Sequence, residues 1–250
     1  MISAIFNTVF YNPIYNALVA FIALVPGSDV GVAVILVTIL IKLILLPFSL
    51  SAARTQRAMK TLEPKLKELK EKYKDDKERE AVETMALYKA AQVNPFASIM
   101  TAFIQIPIIL ALYWVFIHEP FSTLDMARLY PFTPLPHAAS LLFLGIISVT
   151  GKSMLLAIIA GATQYLQAHF ALSGTMKPSG EGTQAKFQKI MGTQLKFVFP
   201  FIIAAISYST SGAIALYFIA TNLFGAAQEI HIRRVIAKET QELEAEAQNI

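Results

Sequence analysis

The chain has no cysteine. That excludes disulfides, zinc-thiolate sites, thiol catalysis and a lipid-modified cysteine. Charge is scarce too: 15% of the 250 residues are Asp, Glu, Lys or Arg, against about 25% in soluble domains. The histidines His118, His137, His169 and His231 are scattered without metal-ligand spacing. No Gly-rich phosphate loop occurs, and no basic residue precedes Lys42, so the n-region of a secretory signal is missing. The expectation is a protein with no catalytic residues, no cofactor and no metal.

What the chain does have is hydrophobic residues, 55% of the total, gathered in long blocks rather than in stripes. Apolar blocks of about 20 residues mark transmembrane helices. These blocks are too continuous for barrel strands. Five spans are predicted, at about 30–50, 97–117, 153–172, 190–207 and 212–228. The last two come from one run divided at the polar break Ser207-Tyr208-Ser209-Thr210-Ser211-Gly212. Residues 1–28 are expected to form an amphipathic helix lying on the membrane, interrupted at Asn12-Pro13 and closed by Pro26-Gly27. The stretch 138–150 is too short to cross and is expected at the outer interface.

Basic residues set the orientation. The segment 51–94 is dense in Lys and Arg, from Arg54 to Lys89; the stretch 173–196, which runs into the fourth span, holds Lys177, Lys186, Lys189 and Lys196; the tail holds Arg233, Arg234 and Lys238. The external segment 118–151 holds only Arg128. These loops alternate consistently with the N-terminus outside and the C-terminus in the cytosol. Within 51–94, Met59, Leu62, Leu66, Leu69 and Tyr73 step by threes and fours as a seam. Lys74-Asp75-Asp76-Lys77 breaks the seam, and a second helix follows with Ala81, Met85 and Tyr88 as its expected apolar face. This reads as a cytosolic antiparallel helical hairpin. Its basic residues suit anionic lipids, and ribosomal RNA is a further candidate. Interleaved acids argue against specific DNA binding.

Lys42 is the one charge in the first span, at a depth that costs roughly 2.5–3.5 kcal/mol. The spans offer it no acidic partner. Snorkelling to the inner surface is one account; a hydrated cavity is the other. Polar faces that could line such a cavity include Thr38, one turn before Lys42, and Ser98, Thr101 and Gln105 on one face of the second span. Each also suits ordinary interhelical hydrogen bonding. A small-anion transporter or channel using Lys42 is the alternative reading from another class. The chain shows no internal repeat of the kind transporters carry.

The residues resemble the YidC / oxidase-assembly family of membrane protein insertases. Ile41-Lys42-Leu43-Ile44-Leu45-Leu46-Pro47 is similar to the family's charged-residue-to-proline segment. Met85-Ala86-Leu87-Tyr88-Lys89, Val93-Asn94-Pro95, Gln105-Ile106-Pro107-Ile108, Lys189-Ile190-Met191 and Leu216-Tyr217-Phe218-Ile219-Ala220-Thr221-Asn222 follow in the family's order. The resemblance covers about residues 10 to 235. It implies an all-α polytopic membrane protein: five transmembrane helices around a cytosol-open hydrophilic groove, with a cytosolic antiparallel helical hairpin. The insertase core would be 29–235, followed by a short acidic tail at 236–250.

The implied activity is insertion and folding of newly made integral membrane proteins in the bacterial plasma (inner) membrane, without a cofactor. The implied partners are nascent membrane proteins, with the Sec translocon and the ribosome as further candidates. The resemblance assigns Lys42, Thr38, Gln105, Tyr217 and Phe218 to the substrate groove. Two departures stand out. The family's groove charge is usually arginine, and lysine lacks its bidentate fork. Members that dock ribosomes through the C-terminus use a long basic tail, whereas this tail carries Glu239, Glu242, Glu244 and Glu246.

Overall fold

The computed structural model describes residues 2–94, 97–118, 124–175 and 190–248. Lys177, Lys186, Lys189 and Pro95 lie outside the described residues. The fold is all-α. Among the described residues, five helices are long and apolar enough to cross a membrane: Ser3–Leu24, Val30–Gln56, Met154–Leu172, Ile190–Ser209 and Gly212–Glu239. Phe103–His118, over most of the expected second span, is a further apolar helix, and the N-terminal helix, expected to lie on the membrane, is also long and apolar enough to cross.

The elements run α1 (Ile2–Phe6), α2 (Asn12–Leu24), α3 (Val30–Thr61), α4 (Glu63–Lys72), α5 (Lys77–Ala90), α6 (Ala97–His118), the strands β1 (Leu142–Phe143) and β2 (Ile147–Ser148), α7 (Met154–Thr175), α8 (Phe199–Ser209) and α9 (Gly212–Gln248). The expected interruption at Asn12-Pro13 is not a break. A π-helical turn, Asn7–Tyr11, joins α1 to α2, closed by the Asn12 N–H on the Asn7 carbonyl. A second π-turn, Gln194–Val198, is closed the same way by Phe199 and leads directly into Pro200. In both places the cause is the same: proline lacks an N–H and its ring crowds the carbonyl four residues back, and a widened turn relieves the crowding.

Two compact units divide the chain: Met1–Ile44 with Pro107–Ile250, and Leu45–Ile106. In the first, α9 is the most buried of these helices; 56% of its apolar stretch is buried, against 11% for Ile190–Ser209, which turns Phe201 and Ile202 outward. Small residues let the backbones approach, the usual device between membrane helices. A Cβ on Gly161 of α7 would meet the Pro200 carbonyl of α8 at 3.0 Å, and one on Gly225 of α9 would meet Gln167 at 2.6 Å.

The segment from Leu124 to Ser153 ties several helix ends together. The Gly212 and Ala213 N–H groups donate to the carbonyls of Gly151 (2.8 Å) and Val149 (2.8 Å), and the Val30 N–H donates to Ser140 (3.1 Å). The starts of α3 and α9 therefore lie at the same end of the unit.

In the second unit the expected seam is visible. Leu62, Leu66, Leu69 and Tyr73 are half-buried between exposed neighbours. Asp76 caps α5, its Oδ1 accepting from the Arg79 N–H at 3.0 Å. The expected apolar face of α5 differs. Ala81 and Met85 are exposed, and the half-buried stripe is Glu80, Glu83, Thr84, Leu87 and Tyr88. Its 3–4 spacing follows the helix period, but Glu80, Glu83 and Thr84 occupy three of its five positions, so hydrophobicity alone points to the wrong side.

Candidate functional site

Lys42 continues a buried stripe. Val30, Ala33, Val34 and Val37 on α3 are fully buried and Thr38 is 1% exposed. One turn further, Ile41 and Lys42 are half-buried, while Leu43 and Ile44 are exposed at 52% and 61%. Successive spacings of four put Lys42 in line with Thr38 and Val34. The ammonium thus extends from the interior face of the helix, and the lipid-compatible side chains extend from the other. At 1.5 Å per residue Lys42 lies about 18 Å along α3 from Val30.

The other expected groove residues in this unit are packed. Thr38 donates from Oγ1 to the Val34 carbonyl at 2.7 Å. Tyr217 and Phe218 are 2% and 8% exposed, and their rings meet at 5.3 Å and 59°. They lie in the first two turns of α9, so both fall between the tied ends of the helices and the level of Lys42. Gln105 is half-buried on the part of α6 that belongs to the second compact unit. The side chains of Ser98 and Thr101 lie outside what is described.

A polar contact joins α7 to α9 below this layer. Asn222, 1% exposed, donates from Nδ2 to the Ala160 carbonyl and to Thr163 Oγ1, each at 3.3 Å. Further along α9, Arg233 pairs with Glu229 at 3.0 Å and donates to the Phe170 carbonyl of α7. Among the described residues no cluster of His, Asp or Glu has the arrangement of a metal site.

Two residues outside the sequence expectation organise the tied end. Asn16 uses its whole hydrogen-bonding capacity. Nδ2 donates to the carbonyls of Asn12 (2.8 Å) and Arg128 (2.9 Å), and Oδ1 accepts from the Tyr130 N–H (2.7 Å) and Thr133 Oγ1 (2.7 Å). Beside it the Tyr15 hydroxyl accepts from the Asp125 N–H at 2.9 Å. Asp29 caps α3 through the Val32 N–H (3.0 Å) and also accepts from the Leu144 N–H (2.6 Å). Asp29 had a sequence signal, an acidic residue immediately before an apolar helical run. Asn16 had only that of a lone amide in an apolar helix.

A family model described as 60Kd inner membrane protein matches residues 21–240. The chain belongs to this family. Among curated relatives, the Membrane protein insertase YidC of Clostridium tetani is 30% identical over 233 residues, covering 89% of this chain and 94% of that protein. The Membrane protein insertase YidC of Fusobacterium nucleatum is 29% identical, covering 88% and 97%. Membrane protein insertase MisCA of Bacillus subtilis is 28% identical, covering 87% and 76%. The family also has longer members: the chain spans 33% of the Syntrophus aciditrophicus protein, with 33% identity. Membership fits the apolar helices of the fold, since the family's description is that of an inner membrane protein.

Proposed function

We propose that the protein inserts newly made membrane proteins into the bacterial plasma membrane, with Lys42 at the blind end of a hydrated groove. The observation that carries the reading is the placement of Lys42 one turn past the end of the fully buried stripe of α3. Toward the tied helix ends the unit is packed through Thr38, Tyr217 and Phe218. Past Thr38 the residues of α3 from Ile39 to Leu50, Lys42 among them, are half-buried or exposed. A polar tail entering from the cytosol would be drawn to the ammonium, and its apolar segment would pass into lipid along the exposed side of the bundle. The groove shortens the path over which polar groups meet hydrocarbon, which is the main barrier to insertion. No covalent step and no cofactor enters this reading. Thr38, Tyr217 and Phe218 form the wall that a substrate meets above the charge. Gln105 enters through the family motif, not through geometry.

The orientation places the basic segment 51–94 and the C-terminus in the cytosol, by the positive-inside rule. The N-terminal helix then lies along the outer interface, although its length and composition would suit a span. Its middle residues Tyr15 and Asn16 hold irregular backbone around Arg128, which is paired with Asp125 at 2.9 Å. In a spanning helix that polar segment would sit near the bilayer centre, where lipid-exposed irregular backbone is not tolerated. Nascent membrane proteins are the substrates. The basic hairpin is the surface for anionic lipids, the ribosome or the Sec translocon.

The test is insertion of a short single-span protein with an acidic outer tail into liposomes holding the purified protein, scored by protease protection. Protection should persist in Lys42→Arg and fall several-fold in Lys42→Ala. Full protection in Lys42→Ala would remove the charge-attraction step. No protection above empty liposomes, with folded protein in both orientations, would remove the insertase reading itself.

A further inference from the structure

The hairpin of β1 and β2 has an unusual tip. Leu142 pairs with Ser148 and Phe143 with Ile147. The turn between them holds Leu144 and Gly145 at φ of 51° and 72°, a conformation that hairpins usually fill with Asn-Gly. Here the side chains are apolar and turned outward. Leu144 is 65% exposed and Ile146 81%. From Leu129 to Gly151 the sequence has no Asp, Glu, Lys or Arg.

The turn's N–H groups are nonetheless all bonded within the protein. The Leu144 N–H donates to Asp29 Oδ2 at 2.6 Å. The Gly145 and Ile146 N–H groups donate to the carbonyls of Leu142 (3.3 Å) and Phe143 (3.0 Å). A turn in water can leave such donors to the solvent, whereas a turn in lipid cannot. Depth is set by two contacts with α3. Asp29, which holds Leu144, is the cap of that helix. The Phe143 side chain fills the space of a Cβ on Gly31, which would meet it at 2.6 Å. The tip is therefore level with the first turn of the apolar helix Val30–Gln56.

We propose that Leu144 and Ile146 at the hairpin tip are seated among the acyl chains of the outer leaflet, and that Asp29 makes this possible by satisfying the turn's first N–H. The proposal rests on α3 being a span; it does not rest on insertion activity. The hairpin is then a shallow anchor that sets the depth of the end where α3 begins.

Because the chain has no cysteine, Ile146→Cys supplies a single thiol for a polarity-sensitive fluorophore. The full-length protein is reconstituted in vesicles of phosphatidylethanolamine and phosphatidylglycerol. One set contains a lipid with a nitroxide near its headgroup, and the other is challenged with aqueous iodide. Asp75→Cys, exposed in the turn before α5, is the reference for water. The label at 146 should be quenched several-fold more by the nitroxide lipid, and several-fold less by iodide, than the label at 75. Leu144→Cys should behave as Ile146→Cys does. Iodide quenching at 146 and 144 equal to that at 75, without nitroxide quenching, would place the hairpin in water and overturn the proposal. Adding Asp29→Ala to Ile146→Cys should move the label toward water; an unchanged label would overturn the part assigned to Asp29. Insertion activity enters none of these readouts, so failure here is separate from failure of the insertase reading.

Discussion

The segment from Leu124 to Ser153 and the polar hairpin differ in a way that secondary structure alone would misjudge. The first is mostly irregular, yet long-range bonds hold it. Asn16 and Tyr15 reach residues more than one hundred positions away, and Asp29 fastens both a helix start and a turn. The hairpin is two regular helices, yet neither α4 nor α5 has a buried residue. Its side-chain ties are local: the Asp76 cap, a Lys77–Glu80 pair, and Lys72 and Arg79 over the Tyr73 ring at 5.2 and 5.5 Å. Regularity reports local propensity, whereas resistance to opening follows buried partners and long-range closure.

Substitutions can break or sharpen this contrast. The largest effect is expected at Asn16. Asn16→Ala removes four hydrogen bonds and strands the Tyr130 N–H, a loss of about 2–4 kcal/mol. Thermal unfolding in detergent should drop, and protease should cut within 124–151; an unchanged midpoint would show that this segment is held otherwise. Asp29→Ala comes next, with a cap and a turn bond lost together, about 1–2 kcal/mol. Faster amide exchange confined to the start of α3 and to residues 142–148 would check it.

On the hairpin the effects shrink and stay local. Asp76→Ala should cost α5 about 0.5–1 kcal/mol, seen as faster exchange over 77–90 with no change in the unfolding midpoint. A falling midpoint would mean that the hairpin and the membrane helices open together. Lys77→Ala is the smallest. Its ammonium is 76% exposed, so the pair with Glu80 contributes about 0.5 kcal/mol or less and should vanish in high salt.

The same contrast explains what could be read from the sequence. Apolar runs are a local signal, so the helices α3, α6, α7, α8 and α9 were legible, though α3 and α9 continue well past their expected ends because their polar extensions keep helical propensity. Lys42 was legible as a lone charge, and its side of the helix follows from its four-residue spacing with Thr38 and Val34. The β-hairpin was not legible, since strands of two residues carry no period. The working face of α5 was hidden because Glu80 and Glu83 take part in it. The packing of Thr38, Tyr217 and Phe218 was hidden for another reason: burial of a tyrosine or threonine in a membrane bundle depends on neighbours that are distant in sequence.

The π-turn at Asn7–Tyr11 has a consequence for insertions and deletions. It holds one residue more than α geometry needs, which amounts to a rotation of about 100° between the helix before it and the helix after it. Phe6, just upstream, meets Trp114 edge-on at 5.0 Å only with that surplus in place. Loss of a single residue within 7–11 would leave Tyr15 and Asn16 in register with their partners while swinging Phe6 off the indole. The turn is thus a swivel point, where the chain's first residues can be re-aimed without disturbing anything downstream.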